Sequence, residues 1–154
     1  MAYQIPDQYS SYVREDDDMG INAPMIHQQI ISKLHVELGV MYYHQKSIRV
    51  EPLPETLLGE ESSPTPDLIL YDHSAEQTLV IIEVCQTRGL KGDLKKVVGL
   101  VDDDIYGIQE GFVYNYKTGD WYRYRKGDAG LTEKTAYSDA LGMNLGKLLM
   151  DYQR

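Results

Sequence analysis

Apolar positions step by four from Ile26 through Ile30, Leu34 and Leu38, with Ile31 widening the stripe. That period is helical. Pro24 before it and Gly39 after it predict a helix that opens and stops at those residues. From Lys46 the period falls to two. Ile48, Val50 and Leu53 alternate with Arg49 and Glu51, which predicts a half-exposed strand brought to an end or an edge by Pro52 and Pro54. Residues 59–66 form a loop by composition. Two apolar runs follow, 67–71 and 78–85, and both read as buried strands. The short polar stretch from Asp72 to Gln77 suits a hairpin between them, hence antiparallel neighbours.

Gln86 to Gly92 is polar and glycine-bearing, and Asp93 is a good N-cap for a helix over 94–102. Leu94, Val97, Val98 and Val101 would give that helix its apolar side, while Asp102, Asp103 and Asp104 oppose its dipole at the end. Residues 111–116 and 121–125 predict two strands about a turn at 117–120. A weaker strand near 132–138 and a short helix over 144–152 complete the order. The expected fold is a mixed α/β sheet flanked by helices. Residues 1–22, with the charge run Glu15 to Asp18, read as an N-terminal extension or loop, and 23–154 as a single domain.

The two buried strands carry the chemistry. Each has a carboxylate in or beside it, Asp67 and, 16 positions on, Glu83. A buried carboxylate without a partner is costly, so it is usually paired, hydrogen-bonded or bound to metal. Two on neighbouring strands suit a hard divalent cation, Mg²⁺ or Mn²⁺, that keeps several waters and leaves room for a phosphate oxygen. Lysines near such a site would add positive charge against the transition state. Lys95 and Lys96 on the following helix, and Lys91 before it, are the nearest.

The net charge of −9 does not favour a broad electrostatic footprint on nucleic acid, although a local basic cleft is compatible with it. Arg88, Lys91, Lys95 and Lys96 form the one dense basic cluster. The single cysteine, Cys85, cannot make an internal disulfide, which points to a reducing cytoplasm. No apolar run is long enough to span a bilayer, so no membrane partner is expected.

Asp67…Glu83-Val84-Cys85 resembles a variant of the PD-(D/E)XK nuclease core. More narrowly, the chain is similar to the Uma2-like group of restriction-endonuclease-like proteins. Pro24-Met25-Ile26-His27 resembles that group's histidine-led first helix, and Ser63 to Leu70 its aspartate strand. Val80 to Val84 resembles the glutamate strand, and Gly92-Asp93-Leu94-Lys95-Lys96-Val97 the lysine-bearing helix. Ile108 to Val113 with Trp121 to Tyr124, then Leu141 to Leu149, resemble its closing hairpin and short terminal helix.

The resemblance covers residues 23–150 in order. It implies a restriction-endonuclease-like core, a divalent metal held by Asp67 and Glu83, and hydrolysis of nucleic-acid phosphodiesters, DNA ahead of RNA. It also implies a homodimer and a catalytic lysine moved to the helix. Lys95 and Lys96 fit that role about equally, with Lys96 preferred. His27, Arg88 and Lys91 are assigned to substrate binding. The alternative is a catalytically weak or inactive dimeric binding or regulatory module on the same fold. The acidic balance and Cys85, standing where a strand lysine would be, support it, and the chain has Gln86-Thr87-Arg88 where the group has a Ser-Pro-Ser run.

Cys85 as a nucleophile is the weaker reading, since a buried strand cysteine is usually an inert small hydrophobe. Tyr114, Tyr116, Tyr122 and Tyr124, among 13 tyrosines, read as packing residues or a dimer face rather than a base-stacking platform. The histidines show no spacing that suggests zinc.

Overall fold

A computed structural model describes residues 23–59 and 63–151. The expected N-terminal extension, 1–22, lies outside the described residues. Helix α1 spans Ala23–Gly39, covering the expected helix. Gly39 does not stop it: its dihedrals are helical (φ −63°, ψ −41°), and the chain runs on into a π-helical turn, Val40–His44. The turn closes on a bond from the Gln45 amide to the Val40 carbonyl at 2.9 Å.

Five strands form one sheet in the order β1 (Glu51–Pro54), β2 (Leu68–Asp72), β3 (Gln77–Cys85), β4 (Glu110–Asn115) and β5 (Asp120–Arg125). Neighbours are antiparallel except β3 and β4, which run parallel. The parallel pair needs a crossover, supplied by helix α2, Thr87–Asp103. The expected hairpin between β2 and β3 is present, as is the mixed α/β class. β1 is shorter than the period-two run from Lys46 suggests. Pro52 and Pro54 sit inside it, which an edge strand tolerates because one side needs no donor.

α2 starts six residues before the predicted N-cap. Asp93 therefore lies in its second turn, and Gln86 occupies the capping position without a side-chain cap bond. Glycine costs a helix interior about 1 kcal/mol, and Gly89 and Gly92 made this stretch read as a loop. Burial outweighs that cost, because Leu90, Leu94, Val97, Val98, Leu100 and Val101 all pack on the sheet. At Gly111 on β4, a Cβ would stand 2.3 Å from Val97 Cγ1, so the close seat of α2 requires glycine there.

The sheet has a core on each face. Ile30, Ile31, Leu34 and Leu38 of α1 pack with Leu68, Leu70, Val80, Ile82 and Val84. Ile69, Ile81 and Cys85 face α2 instead. This alternation follows from the period-two geometry of strands. The β2–β3 register pairs Leu68 with Ile82 and Ile69 with Ile81, but shifts by one at a bulge between Leu70 and Tyr71.

The weak strand near 132–138 reduces to β6 (Tyr137–Ser138), paired with β7 (Met143–Asn144), plus a bridge from Glu133 to Arg123. The terminal helix is a 3₁₀ turn, Leu145–Leu149. Buried Glu110 fastens this segment, accepting from Ser138 Oγ at 2.5 Å and the Asp139 amide at 2.8 Å. Tyr116 and Tyr124 are buried, while Tyr114 and Tyr122 pack against opposite cores, in line with a packing role. No helix among the described residues is long and apolar enough to cross a membrane.

Candidate functional site

The register that pairs Leu68 with Ile82, continued by one residue, sets Asp67 across from Glu83. Residues opposite each other in an antiparallel pair point to the same face. Here that is the α2 face, since Glu83 lies between Ile81 and Cys85. One oxygen of Asp67, Oδ2, accepts the Val84 amide at 2.8 Å and lies 3.1 Å from His27 Nε2. His27 reaches it from the first turns of α1. Glu83 is almost wholly buried, with 4% of its side chain exposed, and its Oε2 lies 2.8 Å from Lys96 Nζ. At that distance the ammonium and the carboxylate make a charge-assisted contact, and it is the one that holds the buried oxygen.

The electrostatics follow from this packing. Burial pushes the Glu83 carboxyl up to about 7, and the neighbouring Asp67 charge adds to the rise against the pull of Lys96. Burial also acts to raise Asp67, but the His27 hydrogen bond, the Val84 amide and the His27 charge together hold it below the usual range. The hydrogen bond to Asp67 raises His27 despite the opposing effect of burial. The tendency of a helix N-terminus to disfavour the cation is overcome by this direct partner. Burial lowers Lys96, but its pairing with Glu83 more than compensates and leaves it raised.

Asp93 is the residue that sequence reasoning misplaced. Assigned as a cap, it instead stands one helical turn before Lys96, where burial and then the Asp67 charge raise its carboxyl. The available signal was that Asp93 and Lys96 are three apart, and so share a helix face. Burial drives the Cys85 thiol up to about 12, with the charges of Asp93, Asp67 and Glu83 adding to it. A thiol in that setting is not activated as a nucleophile.

The arrangement thus gathers Asp67, Glu83, Lys96 and His27, with Asp93 close enough to feel their charges. Lys95 is exposed on the outer side of α2, and Arg88 and Lys91 are exposed near its start. Among the described contacts, neither Lys91 nor Lys95 pairs with Asp67 or Glu83.

Among the described residues, no group of three or more His, Cys, Asp and Glu side chains is placed to hold a metal ion. A Mg²⁺-type site does not need such a cage, because one or two carboxylates and retained waters suffice. The oxygen donors Asp67 and Glu83, close enough for each charge to shift the other's carboxyl, suit a hard cation.

No protein-family model matches the chain, and no curated protein matches it in sequence. Among solved structures, it resembles a candidate nuclease belonging to DUF820 from Anabaena variabilis. The TM-score is 0.52 at 13% identity, covering 76% of this chain and 78% of that one. At that identity the likeness establishes the fold. A weaker overlap, at TM-score 0.38 and 13% identity, is with DrdV in its complex with DNA, across 81% of this chain and 14% of that one. So partial an overlap carries no argument.

Proposed function

We propose that the protein is a metal-dependent nuclease of the Uma2-like group that hydrolyses nucleic-acid phosphodiesters. The observation that carries this reading is the facing pair Asp67 and Glu83 with Lys96 at 2.8 Å from Glu83. The fold shared with the DUF820 protein is consistent with it. DNA is the preferred substrate over RNA, the cytoplasm the compartment, and a homodimer the working form. These last three rest on the family resemblance and on the unpaired Cys85.

Asp67 and Glu83 would hold Mg²⁺ or Mn²⁺. Such an ion, when bound, polarises the phosphate and lowers the pKa of an attacking water. His27 and the Val84 amide orient Asp67 by fixing one of its oxygens. The Lys96 ammonium offsets the charge of Glu83 and stands ready to stabilise charge developing on phosphoryl oxygens. The burial of the Asp67 and Glu83 side chains strengthens each of these interactions.

A second reading has its own observation. His27 and Lys96 already pair with the two carboxylates, and a Glu83 carboxyl near 7 is partly protonated at neutral pH. That pattern suits a catalytically inactive binding module. Supercoiled plasmid and short single strands incubated with Mn²⁺ separate the two. The nuclease reading expects cleavage that disappears in both Asp67→Ala and Glu83→Ala. Cleavage that persists in either variant, or its absence from purified wild type, rejects it.

A further inference from the structure

At the hairpin end of β2 and β3, away from Asp67 and Glu83, the sheet and the end of α2 frame a pocket of about 420 Å³. That volume falls in the range of small-molecule sites. The β2–β3 bulge shapes it. Leu70 pairs with Val80 but Tyr71 pairs with Thr78, so Leu79 is passed over. Thr78 is thereby turned to the side of Tyr71, which packs with Tyr106 against the α2-side core. Gly107 closes the wall: its φ is +76°, and a Cβ there would stand 2.1 Å from Gln77 Oε1.

Thr78 marks the pocket as a place for a ligand. The residue is 4% exposed and lines the pocket, yet no described residue hydrogen-bonds to its hydroxyl. Nor is that hydroxyl one of the side-chain atoms sealed from solvent without a partner, so it opens into the cavity. Buried polar groups are as a rule hydrogen-bonded, because leaving one unpaired is costly. Among the described residues nothing meets that need, and the group left to meet it is one that enters the pocket.

The rest of the lining selects the ligand. Glu76 and Asp104 supply two carboxylates, and the described lining holds no Lys, Arg or His. Glu76 makes no ion pair among the described residues, while Asp104 pairs through one oxygen with Lys126, which lies outside the lining. Asp104 also caps the C-terminus of α2, the negative end of the helix dipole. Tyr71 and Tyr106 add aromatic rings beside these charges, which suits an ammonium carried on a hydrocarbon chain. We infer that the pocket binds a small aliphatic amine, a diamine or polyamine. Its ammonium groups would meet Glu76, Asp104 and Thr78 Oγ1, and its methylenes would lie along the tyrosines. A bare metal ion would leave the aromatic walls and most of the volume unused.

The test titrates the full chain with cadaverine and with spermidine by calorimetry at matched ionic strength. Both amines are expected to bind with dissociation constants below about 1 mM. Thr78→Val should weaken binding about five- to tenfold while the melting temperature holds or rises, because the isostere removes an unpaired buried hydroxyl. Thr78→Ser keeps the hydroxyl and should bind within about twofold of wild type. Glu76→Gln should weaken binding about three- to fivefold. Ca²⁺ and pentan-1-ol, which carry only the charge or only the chain, should each bind at least about tenfold more weakly than cadaverine.

Four results overturn the inference. One is the absence of binding by either amine at about 10 mM. Another is amine affinity unchanged in Thr78→Val, and a fall in that variant's melting temperature would then assign the hydroxyl to the fold. The third is Ca²⁺ or pentan-1-ol binding as tightly as the amines. The last is Nα-acetyl-lysinamide binding more tightly than both, which would give the pocket to a protein side chain. None of these outcomes bears on the nuclease reading, which is scored separately by cleavage with Mn²⁺.

Discussion

His27 Nε2 and the Val84 amide converge on a single oxygen of Asp67, at 3.1 and 2.8 Å. The aspartate is thereby oriented from two sides, by a helix packed on one face of the sheet and by the backbone of the neighbouring strand. His27 is raised and Asp67 lowered by this contact. A raised histidine contributes stability that is complete below its unfolded value, near 6.5, and lost as pH climbs through the folded value. A lowered aspartate contributes above its unfolded value, near 3.8, and loses that contribution as pH falls. The stability difference between wild type and His27→Gln, from urea midpoints, should thus be greatest between about pH 5 and 6.5. It should be on the order of 1 kcal/mol there and shrink toward pH 9. A difference that is flat across pH removes the ionic component.

Glu83 makes the opposite prediction. Its carboxyl, raised from 4.5 to about 7, binds more protons in the native state than in the unfolded one. Metal-free protein should therefore lose stability as pH rises from 4.5 to 7, by on the order of 3 kcal/mol at most. Glu83→Gln, which mimics the neutral acid, should flatten that fall in denaturation run with EDTA. An equal slope in the variant places the titration elsewhere.

Divalent metal should reverse this penalty. Mn²⁺ binds the ionised carboxylates, so at a hundredfold excess over its dissociation constant it should stabilise wild type by about 2.7 kcal/mol. Chelation should restore the metal-free melting temperature. Calorimetric titration of Asp67→Asn and Glu83→Gln should show the heat lost in both. Retention in either variant rejects a site shared between the two strands.

The lysines should divide by kinetic constant. Lys96→Met removes the charge beside Glu83 and should lower kcat by about 10²- to 10³-fold. Lys95→Met, exposed on the outer side of α2, should leave kcat within about threefold of wild type. Single-turnover and steady-state cleavage assays separate the two, and a kcat effect at Lys95 would exchange their roles.

Gly111→Ala tests the seat of α2. The added methyl meets Val97 Cγ1 at 2.3 Å and Ile81 Cγ1 at 3.3 Å. Overpacking of this kind costs about 1–3 kcal/mol. Pairing the change with Val97→Ala, which opens the space, should restore part of the loss in chemical denaturation.

What was readable in the chain depended on the range of the forces involved. The apolar runs around Asp67 and Glu83, with a short polar link, were enough to place both carboxylates on adjacent antiparallel strands. Strand alternation then put Cys85 on their face. Asp93 was not readable because capping is a local rule, whereas the start of α2 is decided by Leu90 and Leu94 finding the sheet. Local glycine propensity lost to tertiary burial there. Gly39 failed as a stop for a related reason, since Met41 beyond it packs against the α1-side core and draws the helical turn onward. The short β6–β7 pair depends on Ser138 and Asp139 meeting Glu110, a contact across 28 residues that no window of sequence contains.

The bulge between Leu70 and Tyr71 has an evolutionary consequence. β2 is apolar toward both cores, with Leu68 and Leu70 on one side and Ile69 on the other, so hydrophobic burial alone scarcely objects to a one-residue slip. Asp67 does object, because the slip would turn it to the opposite face from Glu83. The bulge takes up a one-residue offset between the turn and Asp67, so length changes between Asp72 and Gln77 should persist only where such a bulge keeps Asp67 on the face of Glu83.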